Sequence, residues 1–237
     1  PDGRLAHEKK AESGDNIVVI GGRVGKDGIH GATFSSEEMD EGSPATAVQI
    51  GDPITQKKLS DAIVKEARDK GLFNSNTDNG AGGLSCSVAE MAVECGGFVV
   101  DLEKVPLKYP GLQPWETWIS ESQERMTLSV PDEHLKAFNE LMKARGVEST
   151  VIGSFNDSDR GIVKLKGQEI FNLDMDFLHN GLPEKKLKTK PYPYVKGEPE
   201  IKIKNQKETF LELLGSHNIC SYEFISKQYD HEVQHNS

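Results

Sequence analysis

Two glycine clusters, each joined to an extended apolar run or to a helix, constrain this chain more than any other feature. Asn16-Ile17-Val18-Val19-Ile20 is a short β-branched run that reads as a buried strand. It leads directly into Gly21-Gly22-Arg23-Val24-Gly25-Lys26-Asp27-Gly28-Ile29-His30-Gly31-Ala32. The second cluster, Asp78-Asn79-Gly80-Ala81-Gly82-Gly83-Leu84, opens a helix expected over 87–95 and closed by Gly96-Gly97. Glycine permits backbone turns that side chains forbid and lets another group approach the main chain. Joints of this kind belong to a chain that alternates strands and helices.

The rest of the pattern agrees. Asp52 is placed as an N-cap with Pro53 at the first helical position; Leu59, Ile63, Val64 and Ala67 form one apolar face, and Gly71 ends the helix. Strands are expected over 98–102 and 151–155. Met126, Leu128 and Val130 alternate with polar residues, which predicts a half-buried strand ending at Pro131. A helix over 131–145 buries Leu135, Phe138, Leu141 and Met142. Residues 162–171 read as a hairpin turning near Lys166-Gly167-Gln168. Trp115 and Trp118 sit in a Pro-rich approach to Ile119 and are expected to pack over the domain edge. The fold class is α/β (mixed α+β), a mixed sheet flanked by helices.

The expected organisation is a linker over 1–15, a domain over 16–175, a Lys/Pro-rich connector over 176–206 and a further segment over 207–237. Residues 184–207 carry eight lysines with Pro191, Pro193 and Pro199, a locally basic stretch that could touch phosphate or, the favoured reading, serve as a solvated linker in an otherwise acidic chain. Short helices are expected near 207–214 and 221–229. The chain has 28 Lys+Arg against 38 Asp+Glu, a net charge of −10, which argues against a nucleic-acid binder. Its longest apolar run, 17–20, is far too short to span a bilayer. Mean hydropathy is −0.54, polar but not disordered. Cys86, Cys95 and Cys220 give no paired framework, so a reducing, cytoplasmic setting is the default. The chain starts at Pro1 without an initiator Met and reads as an excised piece of something longer.

The first glycine cluster fits neither a Walker A loop nor a dinucleotide fingerprint, because its glycine spacing is wrong and Asp27 replaces the Ser/Thr. Two readings stand. Gly22, Arg23, Gly25 and Lys26 could wrap an anion with converging amides, or form a tight turn with salt-bridged charges. At the second cluster, Gly80, Gly82 and Gly83 stand at a helix start, where the dipole favours negative charge by roughly 0.3–1 kcal/mol. Asp78 beside them suits a phosphate–magnesium pair, since magnesium takes one or two protein carboxylates plus phosphate oxygens. It could equally cap a turn. Glu121-Ser122-Gln123-Glu124-Arg125 precedes a strand and offers acceptors, a hydroxyl and an amide to a polar ligand, or is a surface loop with a local ion pair. No histidine has metal-ligand spacing, and the two cysteines near 86–95 fit packing better than a nucleophile.

Together these segments resemble phosphoribosylformylglycinamidine (FGAM) synthase. The glycine-rich run 21–36, Val48-Gln49-Ile50-Gly51-Asp52-Pro53, Asp78 through Ser85 and Glu121-Ser122-Gln123-Glu124-Arg125-Met126 are similar to that family's motifs, in its order. Tyr229-Asp230-His231-Glu232-Val233-Gln234 resembles the start of its second internal repeat. The resemblance implies an aminoimidazole-ribonucleotide-synthetase-like C-terminal domain. It also implies an ATP-dependent carbon–nitrogen ligase that acts on formylglycinamide ribonucleotide with ammonia from a glutaminase partner. Carried over position by position, Gln49, Glu121, Ser122 and Gln123 would contact substrate and Asp78 would bind magnesium. Val24 and Lys26 depart from the family's usual Thr and Arg. The family's catalytic histidine and further magnesium carboxylates would lie upstream of Pro1, and further ATP contacts downstream of Ser237. No catalytic residue is therefore assigned here, and the isolated chain is expected to be inactive. A non-catalytic docking module for the glutaminase, or a sister ATP-dependent enzyme, are the alternatives.

Overall fold

In a computed structural model of the chain, the described residues are 10–29, 51–190, 197, 205–221 and 223. Chain contacts divide it into two compact units, Pro1–Glu184 and Lys185–Ser237. The first is built on β1, Asn16–Gly21, in which Ile17, Val18, Val19 and Ile20 are all at most 3% exposed. A strand buried on both faces needs apolar residues at every position rather than at alternate ones, and this run supplies them.

Around β1 stand β2 (Ser75–Asp78), β3 (Gly97–Asp101), β4 (Arg125–Val130), β5 (Ser149–Asn156), β6 (Arg160–Leu165) and β7 (Gln168–Asp174). The sheet runs β2-β4-β1-β5-β3-β6-β7. Every pairing is antiparallel except β3 with β6, so the sheet is mixed, as expected. Ile17 and Val19 face one core with Leu84, Val88 and Phe98, while Val18 and Ile20 face the other with Leu59, Leu128 and Phe138. Helices α1 (Pro53–Ala62) and α4 (Asp132–Ala144) cover the second core; α2 (Gly83–Ala92) lies over the first, with the short α3 (Pro114–Ile119) beside it. A last short helix of this unit, α5, spans Met175–Asn180.

Local signals held where the cause was local. The Asp52 carboxylate accepts from Ile54 N–H at 3.1 Å and Thr55 N–H at 3.2 Å, and Pro53 begins the helix. Lys166 and Gly167 both have positive φ, the backbone of a tight two-residue hairpin turn between β6 and β7. Several expectations are corrected. Val64 is 47% exposed, because beyond Ala62 the helix widens to i→i+5 bonds, such as Arg68 N–H to Ile63 O, and turns Val64 outward. Helix α2 begins at Gly83, not at 87, and α3 and β2 were not foreseen. Trp118 packs between Phe98 and Phe171, with ring centroids 6.1 and 6.5 Å away, whereas Trp115 stays exposed.

The largest correction concerns β4, which is buried on both faces. Arg125, Thr127 and Ser129 are at most 3% exposed, because the face that alternation assigns to solvent meets the 120–122 segment at Arg125, Ser87 of α2 at Thr127 and Asp15 at Ser129. The described end of the expected N-terminal linker is also part of the body. Ala11 is fully buried, Gly14 N–H donates to Phe155 O at 3.0 Å, and Ser129 Oγ donates to the buried Asp15. In the second unit, α6 spans Gln206–Gly215 and is capped by Asn205. The helix expected over 221–229 lies outside the described residues apart from 221 and 223. No helix among the described residues is long and apolar enough to cross a membrane.

The β3–β5 pairing predicts a sharp steric result. A Cβ on Gly153 would lie 2.0 Å from Val99 O, a backbone atom that cannot swing aside. Gly153→Ala is expected to destabilise the chain by roughly 1–3 kcal/mol or more, read as a lower midpoint in chemical unfolding. A wild-type midpoint would contradict this register.

Candidate functional site

Residues 120–124 connect α3 to β4 and pass between the two glycine clusters. Gly21 ends β1 at φ +97°, and a Cβ there would sit 2.2 Å from Glu124 O. Gly83 opens α2 at φ +56°, and its Cβ would sit 2.1 Å from Ser120 O. Only glycine permits these two approaches, so the clusters are folded onto the 120–124 segment from either side.

The first cluster has its amides engaged, two of them on that contact. Gly22 N–H donates to Glu124 O at 2.8 Å, Val24 N–H to Pro106 O at 2.9 Å, Gly25 N–H to Ser122 Oγ at 3.0 Å and Lys26 N–H to the Tyr109 hydroxyl at 2.8 Å. Ser120 Oγ returns a bond to Gly25 O at 2.7 Å, and Ser122 Oγ lies 3.1 Å from Asp27 Oδ1. The charges are paired too. Arg23 makes a two-pronged contact with Glu148 at 2.8 and 3.0 Å, Lys26 meets Glu116 at 3.3 Å, and Lys108 meets Asp27 at 2.6 Å. Of the two readings open for this loop, the salt-bridged turn is the one displayed. Glu116 is held below the usual carboxylate range by the Gln113 amide, which it caps at the start of α3, and then by Lys26.

The second cluster is organised by two carboxylates. Asp78, exposed at the end of β2, accepts from Gly80 N–H at 2.8 Å, and Glu121 accepts from Gly82 N–H at 3.0 Å. Glu121 is 8% exposed, so a negative group already occupies the approach to the start of α2. Beneath it, Asn79 Oδ1 accepts from Ser87 Oγ at 2.7 Å and from Thr127 Oγ1 at 2.9 Å. Cys86 lies in α2 with its thiol pushed up to about 11 by burial and then by Glu90, so it is not a thiolate at neutral pH.

Two clefts open beside the segment. One of about 260 Å³ is bordered by Gln56, Asp78, Gly80, Ser122, Gln123 and Arg125. A larger one of about 470 Å³ is bordered by Gly22, Arg23, Lys58, Lys108, Gln123 and Glu148. Gln123, exposed, borders both. The fold thus joins Asp78, Gly80, Ser122 and Gln123 at one cleft, and Gly22, Arg23 and Gln123 at the other. Gly25, Lys26, Glu121, Gly82 and Gly83 support the walls without lining either cleft. Gln49 lies outside the described residues.

Sequence reasoning missed Arg125 as a site residue. It is 3% exposed, and burial pushes its guanidinium down to about 10. The sequence places it in a polar segment preceding the strand, whereas it is the first residue of β4 and is enclosed by the carbonyls of Ser120 and Ser122. Among the described residues, no group of three or more His, Cys, Asp or Glu could hold a metal ion. Asp78 fits as a single carboxylate ligand, with one oxygen held by Gly80 N–H, in the manner of magnesium sites completed by water and phosphate.

Residues 12–166 match the family described as AIR synthase related protein, C-terminal domain. The chain is 40% identical over 227 residues to phosphoribosylformylglycinamidine synthase subunit PurL of Methanopyrus kandleri, an alignment spanning 93% of this chain and 31% of that protein. Among solved structures, T. maritima PurL complexed with FGAR is 29% identical with a TM-score of 0.70, covering 88% of this chain and 35% of that one. T. maritima PurL complexed with ATP is 26% identical with a TM-score of 0.66, covering 88% and 33%. The chain therefore spans about a third of the length of the curated relatives it matches. With the family model covering well over half of its residues, and β1 through β6 inside the match, the chain belongs to the AIR synthase related protein C-terminal domain family.

Proposed function

We propose that this chain serves, within a longer ATP-dependent synthase, as a domain that binds formylglycinamide ribonucleotide and contributes one carboxylate to a magnesium–phosphate site. The reaction is the conversion of the ribonucleotide amide to an amidine, with ATP as phosphoryl donor and glutamine-derived ammonia as nucleophile, delivered by a glutaminase partner. The observation that carries the reading is the convergence of Asp78 and Gly80 with Gln123 on one cleft, from two segments more than forty residues apart in sequence. Support comes from relatives named phosphoribosylformylglycinamidine synthase subunit PurL and from a structural neighbour complexed with FGAR and, separately, with ATP.

Roles follow from exposure. Gln123 presents an amide that can both donate to and accept from the substrate, and the two clefts meet at it. Ser122 is 1% exposed and its hydroxyl is engaged with Gly25 and Asp27, so it shapes the substrate wall rather than donating from it. Glu121 works through Gly82 N–H. Arg23, which borders the larger cleft, would meet phosphate through its side chain, with Lys26 as a further cation of the same loop, since the amides beside them are already bonded. Asp78 would hold magnesium, which would supply positive charge against the phosphate oxygens when bound. The three free cysteines suit a cytoplasmic setting.

Asp78→Asn in the full-length synthase is expected to lower magnesium-dependent turnover by roughly 10–100-fold or more and to move the magnesium midpoint upward. A wild-type magnesium titration would instead favour a docking module. Because Gln123 is exposed, Gln123→Ala is expected to leave stability unchanged while raising KM for the ribonucleotide about 3–10-fold, the worth of one hydrogen bond. An unaltered KM would remove Gln123 from the substrate wall.

A further inference from the structure

Arg125 is a buried charge beside the cleft to which the proposed function gives no task. It is the first residue of β4 and 3% exposed. Its Nε donates to Ser122 O at 2.7 Å and its Nη2 to Ser120 O at 2.5 Å. Its Nη1 has no partner among the described residues. No described carboxylate lies within ion-pair distance of it; the favourable charge it feels is Asp27, which Ser122 Oγ and Lys108 hold in the first glycine loop.

Burying a guanidinium against neutral carbonyls is costly, and a methionine of similar length would fill the space without that cost. What the guanidinium supplies instead is geometry. A planar fork fixes two acceptors at once in a way no single-point donor can. Here the acceptors are the carbonyls of residues 120 and 122, two positions apart on the segment that separates the two glycine clusters. With those carbonyls held inward, Glu121 meets Gly82 N–H at 3.0 Å, while Gln123 Nε2 meets Glu121 O at 3.2 Å and Gln123 borders both clefts.

We propose that Arg125 is a positioning residue for the ribonucleotide cleft: by fixing the carbonyls of Ser120 and Ser122, it sets Glu121 against the second glycine loop and Gln123 at the cleft wall. The proposal rests on the reading of that cleft as the substrate site. It assigns Arg125 no contact with substrate. Its effect reaches the ligand through the backbone of residues 120–123.

The test is Arg125→Met in the full-length synthase, with Arg125→Lys beside it, read by steady-state kinetics and by amide hydrogen exchange. Arg125→Met is expected to raise KM for formylglycinamide ribonucleotide about tenfold or more, with KM for ATP changed less than about twofold. Exchange at residues 120–124 should accelerate at least about tenfold while β1 stays protected. Arg125→Lys, which can reach one carbonyl at a time, should fall between the two; if the methionine variant does not fold, the lysine variant carries the same comparison. A wild-type KM for the ribonucleotide would overturn the proposal, even with faster exchange at 120–124, since that combination describes a purely structural residue. Failure of the cleft reading looks different: the wild-type synthase would then show no turnover dependent on formylglycinamide ribonucleotide, whatever the variants do to exchange.

Discussion

The site depends on the tightness with which residues 120–124 are threaded between two loops that have no side chains at the points of contact. Gly21 and Gly83 approach that segment at distances no Cβ could tolerate, 2.2 Å from Glu124 O and 2.1 Å from Ser120 O. Once the three strands of chain are this close, short side chains can bridge them. Ser120 and Ser122 reach the first loop, and Glu121 reaches the second. Lengthening either contact by the size of a methyl group would undo several of these bonds together, since the partners share one short stretch of backbone. The glycines here are therefore steric before they are functional.

A buried polar layer supports the same segment from below. On one face of β4, Arg125, Thr127 and Ser129 are buried where apolar residues would be the ordinary choice. Each is tied in. Arg125 bonds the 120 and 122 carbonyls, Thr127 joins Ser87 and Asn79, and Ser129 donates to Asp15. A one-residue slip of β4 would exchange this face for Met126, Leu128 and Val130, leaving Asn79, Ser87 and Asp15 without those partners. Buried polar groups left unpaired cost about 1–3 kcal/mol each. The layer therefore penalises wrong registers of β4 more heavily than an apolar layer would, and it does so at the strand whose first residue sets the site.

How much of this could be read from the sequence follows from the range of each cause. The Asp52 cap, the Lys166-Gly167 turn and the continuous burial of β1 are decided within a few residues, and all were legible. The face of β4 was not, because alternation of apolar and polar residues reports polarity and not exposure; what covers Thr127 is a helix beginning 44 residues earlier at Gly83. The same limit applied at the first glycine loop. Its two readings differ only in whether the amides are free, and the acceptor for Gly25 N–H is the hydroxyl of Ser122, 97 residues away. Asp78, Gly80, Ser122 and Gln123 could be picked out by residue type, but only the sheet order, with β2 beside β4, joins them at one cleft.

That division between amides and side chains has an energetic consequence for anion binding in this loop. The amide bonds of Gly22 and Gly25 are part of the contacts that hold the segment, and that of Val24 ties the loop to Pro106, so freeing them for a ligand would cost the fold. The ion pairs are different. Arg23 and Glu148 are 55% and 40% exposed as side chains, and an exposed pair is worth only about 0–1 kcal/mol. A phosphate with two negative charges competes easily for such a cation, whereas it competes poorly for a bonded amide. Ligand binding through this loop would then be an exchange of partners by Arg23 and Lys26 over a fixed backbone. Lys26 gives such an exchange a point charge rather than a planar fork, so of the two cations it is Arg23 that can impose direction on the phosphate.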